Sequence, residues 1–548
     1  MYNKYHNNFY NKYICIIFVG KMFIRRIHKN QNGKRYTTTY IAESYRDEDG
    51  KVKHKHLSNI SKWSESMIRS FEQILKGQKT TSISDLAFSQ GKSMGAIYVI
   101  SAVAKRLGIS QALGYSKQAK LALFQVAGRI ITQGSRYYLA NEWKQHQEVD
   151  KVFKISNFNH NDLYDNLAWL AENQAKIEER IYKFRHKKSP AKQIFLYDVT
   201  SSYLEGNHNE LADYGYNRDK KKGKKQIVIG LMTDQDGYPV AVEVFKGNTA
   251  DSHTVSGQLE KLKNKFGVEQ VVLVGDKGMI KSTQVEAITS EEYRWDYLTS
   301  ITKEQIGTLL KQNVLQLELF DDELIEVEDD GVRYLLRKNP IRQNEIRQNR
   351  DEKIQKIRAL AEGLTHYLNE HKKASEEVAL RRINEKISAF KLSKFASCAL
   401  SGRNITVEID EGSLKETAKL DGCYVIKTNV SKDCLDKETA HNRYKDLAQV
   451  EYAFRTLKTT LEHIRPIYVR TEESTRGHVL VASLAYLIIK YITDATKELG
   501  YTRKFIFETL DKINYLEYTY ENEKIVILPK NLLEAQSKIL GKLNITLS

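Results

Sequence analysis

The sequence predicts an α/β protein built from several domains, and three observations point there. Apolar, β-branched runs between residues 193 and 301 alternate with helical stretches. Long helical patterns flank that block, and a short stretch of alternating residues precedes it. The 548 residues are enough for about three or four domains with a sizeable core.

Composition narrows the class. Hydrophobic content of 41% and charged content of 28% suit a soluble globular chain. A net charge of +17, with a pI near 9.2, points to a polyanionic partner, most often nucleic acid. An AT-rich genome would by itself also enrich Lys, Asn, Ile and Tyr. The cysteines Cys15, Cys398, Cys423 and Cys434 form no CxxC pair, so neither a zinc site nor a disulfide framework is indicated. So few cysteines suit a reducing cytosol, and a cytoplasmic location is expected. The early apolar run, residues 14–20, is too short to span a bilayer, and no membrane association is expected. Residues 1–21 are rich in Tyr, Asn and Lys, unlike the rest of the chain, and read as a leader before a start at Met22.

Residues 22–85 read as a small β-rich module, with FIRRIHK, YTTTYIAESY and VKHKHL as strands and Asp49-Gly50 in a turn. Residues 64–76 look helical. Residues 86–190 follow as a helical domain. Within it, AIYVISAVAKRLGISQALGY has the outline of a DNA-reading helix-turn-helix around Gly108, an outline any α-bundle can also share. The basic run RHKKSPAKQ closes the domain as a linker.

Residues 191–302 carry strands at 193–200, 226–234 and 239–247, the last two flanking an Asp236-Gly237 hairpin turn. A helix, the strand VVLVGD (271–276), a second helix and a strand near 295–301 complete the block. That order is the order of a ribonuclease-H-like sheet, in which the first and fourth strands lie parallel and adjacent. Residues 303–421 read as a folded insertion, charged and helical from 342 to 391. Residues 422–499 return to the core with a strand at 423–429, a helix over 444–458 and an apolar helix over 478–492. The tail, 500–548, shows no assignable pattern and is a candidate for dimerisation.

Two acids stand out in the strands. Asp198, in YDVTSSY, sits within an apolar run, where an acid must be paired, bind a cation or cap a turn. Asp276, in VVLVGDKGM, ends a strand where open α/β sheets place ligands, although Gly275 and Gly278 also suit a simple turn. Downstream, Tyr444, Leu447, Glu451, Arg455 and Lys458 recur at helical spacing, so one face carries a carboxylate followed by two cations. A surface ion pair from Glu451 to Arg455 would give the same pattern. In a ribonuclease-H arrangement the two strand ends adjoin, and a helical glutamate can complete a three-carboxylate pocket. Three acids together repel and call for a dication, with Mg²⁺ or Mn²⁺ the natural choice for oxygen ligands.

On YDVTSSY, VGDKGM and the helix around Glu451, the chain resembles DDE transposases of bacterial insertion sequences, in the IS-four superfamily. That family's helix carries Tyr, Arg, Glu and Lys at set intervals. Tyr444, Glu451 and Lys458 match, whereas Leu447 stands at the Arg position and Arg455 is a candidate substitute. The resemblance, from about residue 22 to 495, implies a catalytic core of ribonuclease-H type with a large insertion. It implies cut-and-paste transposition, in which Asp198, Asp276 and Glu451 hold two Mg²⁺ (or Mn²⁺) ions. Water nicks one strand at the element's end, and the freed 3′-OH then attacks, in relatives through a hairpin. Tyr444, Arg455 and Lys458 would position the phosphate. The partners implied are double-stranded DNA, as transposon ends and target, and a second copy of the chain. Lys221, Lys222 and Lys224, in RDKKKGKK, are either a solvated loop or a DNA-backbone clamp. Asp251, in GNTADSH, is expected to start a helix rather than bind metal, and His478 to face the core. An inactive DNA-binding remnant or repressor, or a nuclease that cuts without joining, would keep the same fold.

Overall fold

In a computed structural model, residues 22–31, 34–78, 87–187, 192–206, 208–218, 221, 223–460, 469–520, 523–529 and 531–547 are described. The leader expected at 1–21 and Cys15 lie outside them, as does Lys222. The chain divides into two compact units, one of residues 1–91 with 515–528, the other of 92–514 with 529–548.

In the first unit, β1 (Met22–Gln31), β2 (Lys34–Arg46) and β3 (Val52–Asn59) form an antiparallel sheet. Asp47 organises the β2–β3 turn, its carboxylate accepting from the Asp49 and Lys51 amides, with Gly50 at φ +77°. Helix α1 (Glu65–Leu75) starts at Ser64, whose hydroxyl accepts from the Met67 amide. Strand β4 (Ala87–Ser93) pairs with chain from the far end of the sequence.

The second unit opens with a bundle of α2 (Gly95–Arg106), α3 (Lys117–Ile131) and α4 (His160–Arg185). The helix-turn-helix outline is here a bundle corner. Gly108 takes φ +79°, and the helix after it, Ile109–Leu113, buries Ile109, Ala112 and Leu113. Every residue of α3 from Leu121 to Ile130 is buried as well. On the short helix Gln111 stays exposed and Ser110 half-buried.

The core is an eight-stranded sheet. Strands β5 (Lys192–Tyr203), β6 (Gln226–Asp234), β7 (Pro239–Phe245), β8 (Gln270–Val274) and β9 (Asp296–Ser300) stand in the order β7-β6-β5-β8-β9. β5, β8 and β9 are parallel and β6 antiparallel, the ribonuclease-H-like arrangement. On β5, Phe195, Tyr197 and Val199 alternate into a core shared with Val271, Leu273 and Trp295. Beyond β9 the sheet continues. β10 (Ile325–Asp329) and β11 (Val332–Lys338) lie within residues 303–421 yet belong to this sheet. α5 (Pro340–Glu370), α6 (Glu376–Ala389) and the hairpin β12 (Ala396–Ser401)–β13 (Asn404–Ile409) pack around a hydrophobic cluster of their own that includes Ile357, Leu368 and Ile383. β14 (Cys423–Thr428) then joins β9 and β11, both antiparallel.

The helix expected over 444–458 is three pieces. α7 (Lys437–Lys445) ends at Asp446, α8 (Leu447–Arg455) follows, and Thr456–Thr460 is π-helical. Asp446 holds the break, accepting from Arg443 and Gln449 side chains. α9 (Glu472–Ala495) packs on α3, α4 and β7. It is long and apolar enough to cross a membrane by composition alone, but most of it is buried inside the bundle. The tail is ordered as α10 (Arg503–Asp511), β15 (Asn514–Tyr520), β16 (Glu523–Ile527) and α11 (Glu534–Leu543). β15 pairs with β16 and with β4, completing the first unit's second sheet.

Candidate active site

Register sets the first two acids side by side. Leu196 of β5 pairs with Val274 of β8, and Asp198 and Asp276 each follow their partner by two residues. Adjacent parallel strands run about 4.8 Å apart, so both acids emerge at one edge of the sheet, at strand carboxyl ends. Period-two alternation turns Asp198 away from the Phe195–Tyr197–Val199 face. The opposite face is covered by α8, which docks on β5 and β6. Val450, Ala453 and Phe454 of α8 are buried, whereas Glu451 stays exposed. The Asp236-Gly237 turn helps seat this helix, because Gly237 leaves no room for a side chain beside Gln449.

The electrostatics tie the three acids together. Burial, followed by the negative charges of Asp276 and Glu451, pushes the Asp198 carboxyl up to about 7, against the Val199 amide and Arg218. Tyr444 reports the same grouping from another element. It donates to Ser300 Oγ at the end of β9 (2.8 Å), and burial together with the charges of Asp276, Asp198 and Glu451 raises its hydroxyl. Asp276 has a structural duty too, since its Oδ1 accepts from the amides of Gly278 (2.9 Å) and Met279 (3.0 Å). The turn reading of Asp276 is met by Oδ1 alone, and Oδ2 takes no part in those bonds.

Two residues outside the expected set stand here. Arg218 Nη2 donates to Asp251 Oδ2 at 2.5 Å, and the Arg218 amide donates to Ser201 Oγ of β5. A Cβ on Gly278 would lie 3.3 Å from Asp276 Oδ1 and 3.8 Å from Asp251 Oδ2, so the Arg218–Asp251 pair borders the acids. The sequence offered only a hint, in that Arg218 begins the basic run and Asp251 lies in GNTADSH. Asp251 does open a short helix, as expected, and also carries this ion pair.

The cations are dispersed. Lys224 pairs with Glu205 at 3.3 Å, and Lys221 stands over the Tyr203 ring, on the loop between β5 and β6. Arg455 ends α8 exposed, and Lys458 is half-buried in the π-helical turn. Leu447 is half-buried in the first turn of α8. His478 is buried, its Nδ1 3.1 Å from Arg136 Nη2.

Among the described residues, no group of three His, Cys, Asp or Glu side chains is drawn together tightly enough to hold a metal ion as it stands. The donor set nonetheless fits a hard dication: carboxylate oxygens from three elements, one of them held ionised only with difficulty.

A family model described as the transposase DDE domain matches residues 189–488, a span running from β5 to α9. A second, the N-terminal domain of IS1634 family transposases, matches residues 24–85. No curated protein matches. Among solved structures, a cryo-EM structure of the piggyBac transposase synaptic complex with hairpin DNA aligns at 10% identity and a TM-score of 0.33, covering 76% of this chain and 78% of that one. That likeness is too slight to carry an argument. Family members use divalent metal ions, in keeping with the oxygen-rich edge at β5 and β8. The match over more than half of its length, together with the matched amino-terminal domain, makes this chain a member of the DDE transposases of insertion sequences, enzymes that act on DNA.

Proposed function

We propose that Asp198, Asp276 and Glu451 are the catalytic carboxylates, and that the chain binds the terminal inverted repeats of its element and moves it by cut-and-paste. The observation that carries this is the influence of Asp276 and Glu451 on Asp198, and of all three acids on Tyr444, from distant parts of the chain. Mg²⁺ or Mn²⁺, most simply as a pair, would activate a hydroxyl nucleophile and stabilise the leaving oxygen of an in-line attack on phosphorus.

The chain's own residues have separate tasks. The Asp276 turn bonds fix that carboxylate's direction before any ion binds. The α8 backbone, seated by Val450 and Phe454, presents Glu451 to the edge of β5. Tyr444, tethered to Ser300, forms a wall of the pocket and positions the scissile phosphate. Arg455 and Lys458 contact the DNA backbone beyond it, with Arg455 serving in place of the arginine that Leu447 replaces. Lys221 and Lys224, with Lys222, clamp the DNA from the β5–β6 loop. Two copies act together on the DNA, and the site of action is the cytoplasm.

Duplex DNA carrying the element's own end, incubated with Mg²⁺, tests this. Wild type is expected to nick and then join the end, while Asp276→Asn binds without cutting. Wild type that binds and never cuts would instead mark an inactive remnant.

A further inference from the structure

Among the described residues, deeply buried charges follow one rule with two exceptions. Glu148, Glu178, Asp234, Lys261, Arg333 and Asp421 are all deeply buried, and each has an opposite charge within 3.8 Å. Arg129, at the end of α3, and Arg136, just beyond it, are 7% and 8% exposed, and among the described residues neither has an acidic partner. Arg136 is held by neutral groups. Its Nε donates to Gln125 Oε1 (2.8 Å) and its Nη2 to His478 Nδ1 (3.1 Å), which fixes that ring nitrogen as an acceptor. Gln125 in turn donates to Asn166 Oδ1 (2.8 Å). Arg129 Nη1 is buried with no hydrogen-bond partner.

The two guanidinium groups lie close enough to act on each other, and among the described residues no carboxylate pairs with either. Burial lowers Arg129 to about 10; burial and the neighbouring Arg129 lower Arg136 to about 9. Both remain cations at neutral pH. Taking an unpaired ion out of water costs several kcal/mol, and in folded proteins such charges are paired or bind a counter-ion. The rim is aromatic. Tyr164 lies under Arg136 (5.6 Å to the ring centroid), and Tyr137 is 60% exposed against His160.

We propose that Arg129 and Arg136 form an oxyanion site in the bundle, and that its ligand is a backbone phosphate of the bound DNA. The guanidinium fork matches phosphate oxygens in pairs, and exposed tyrosines beside it suit the sugar and base that flank a phosphate. This site uses none of the residues of the carboxylate edge. It rests on the reading that the chain binds DNA.

Two measurements test it. The first is melting temperature with inorganic phosphate against sodium chloride of equal ionic strength. The second is fluorescence anisotropy of an element-end duplex over a salt series. Arg129→Met keeps the side chain's bulk and removes its charge. Phosphate is expected to raise the melting temperature of wild type and not of the variant. The variant is expected to bind the duplex about tenfold more weakly, with a salt slope lower by about 1. Wild type unmoved by phosphate overturns the proposal, even if the variant fails to fold. A phosphate shift with unchanged duplex affinity and slope leaves a free-anion site and overturns the DNA assignment. Wild type that binds no duplex at all sinks the proposed function, and the phosphate arm then still reads the site.

Discussion

Asp198 is where burial and function pull against each other. Its carboxyl titrates near 7 in the fold and near 3.8 when unfolded, so the folded chain holds the proton more tightly. In chelator, stability is therefore full at low pH and falls as pH rises from about 4 to about 7. Each unit of that shift is worth about 1.4 kcal/mol at most. Thermal melts from pH 5 to 8 should show wild type losing stability and Asp198→Asn holding level, with the variant melting higher at pH 8. Parallel curves would remove Asp198 from the strained position assigned to it. His441 works in the opposite sense. Burial holds its ring down to about 4, with Nε2 2.5 Å from the Tyr424 hydroxyl. Its folded value lies below the usual 6.5, so its contribution is intact above pH 6.5 and lost as pH falls toward 4. His441→Gln should flatten that acid limb of the same melts. At this scale Asp198 and Asp276 were legible, because an acid in an apolar run is conspicuous. The Arg218–Asp251 pair was not, because two loop residues meet only after the sheet has formed.

Helix crossings show how closely the elements are fitted. α9 passes α4 at Gly477, where an added Cβ would stand 2.1 Å from the Leu167 carbonyl oxygen. Gly477→Ala must push the two helices apart, and a loss of about 1–3 kcal/mol is expected, read from denaturant unfolding. An unchanged midpoint would show that the crossing yields at little cost. The break at Asp446 is subtler. Its backbone, at φ −62° and ψ −15°, departs from a helix by only a few tens of degrees. No proline or glycine marks it, so periodicity ran straight through. The outcome is that Tyr444 and Glu451 sit on separate segments that can be aimed independently, one by Ser300 and the other by the floor of β5. The π-helical turn after α8 likewise shifts the phase of Lys458 relative to Glu451, a local distortion often found at functional sites.

For the molecule as a whole, the +17 charge sets how it meets DNA. Duplex affinity should fall steeply with salt, log K declining in proportion to log salt with a slope of about −0.9 per phosphate neutralised. A flat salt response would argue against backbone contacts as the main source of binding. The central sheet was readable because its five strands follow one another as apolar runs. Its extension by β10, β11 and β14 was not, since those strands reach it across an inserted body and only their pairing reveals the membership. The same holds for α9, whose apolar run was visible but whose neighbours α3 and α4 lie more than 280 residues upstream. The pairing of β4 with β15 goes furthest. During synthesis the ribosome must travel from residue 93 to residue 514 before that strand meets its partner. A polypeptide released early, by a nonsense codon or a frameshift, would carry an unsealed sheet edge, and that would mark it for proteolysis before it could compete for the element's ends.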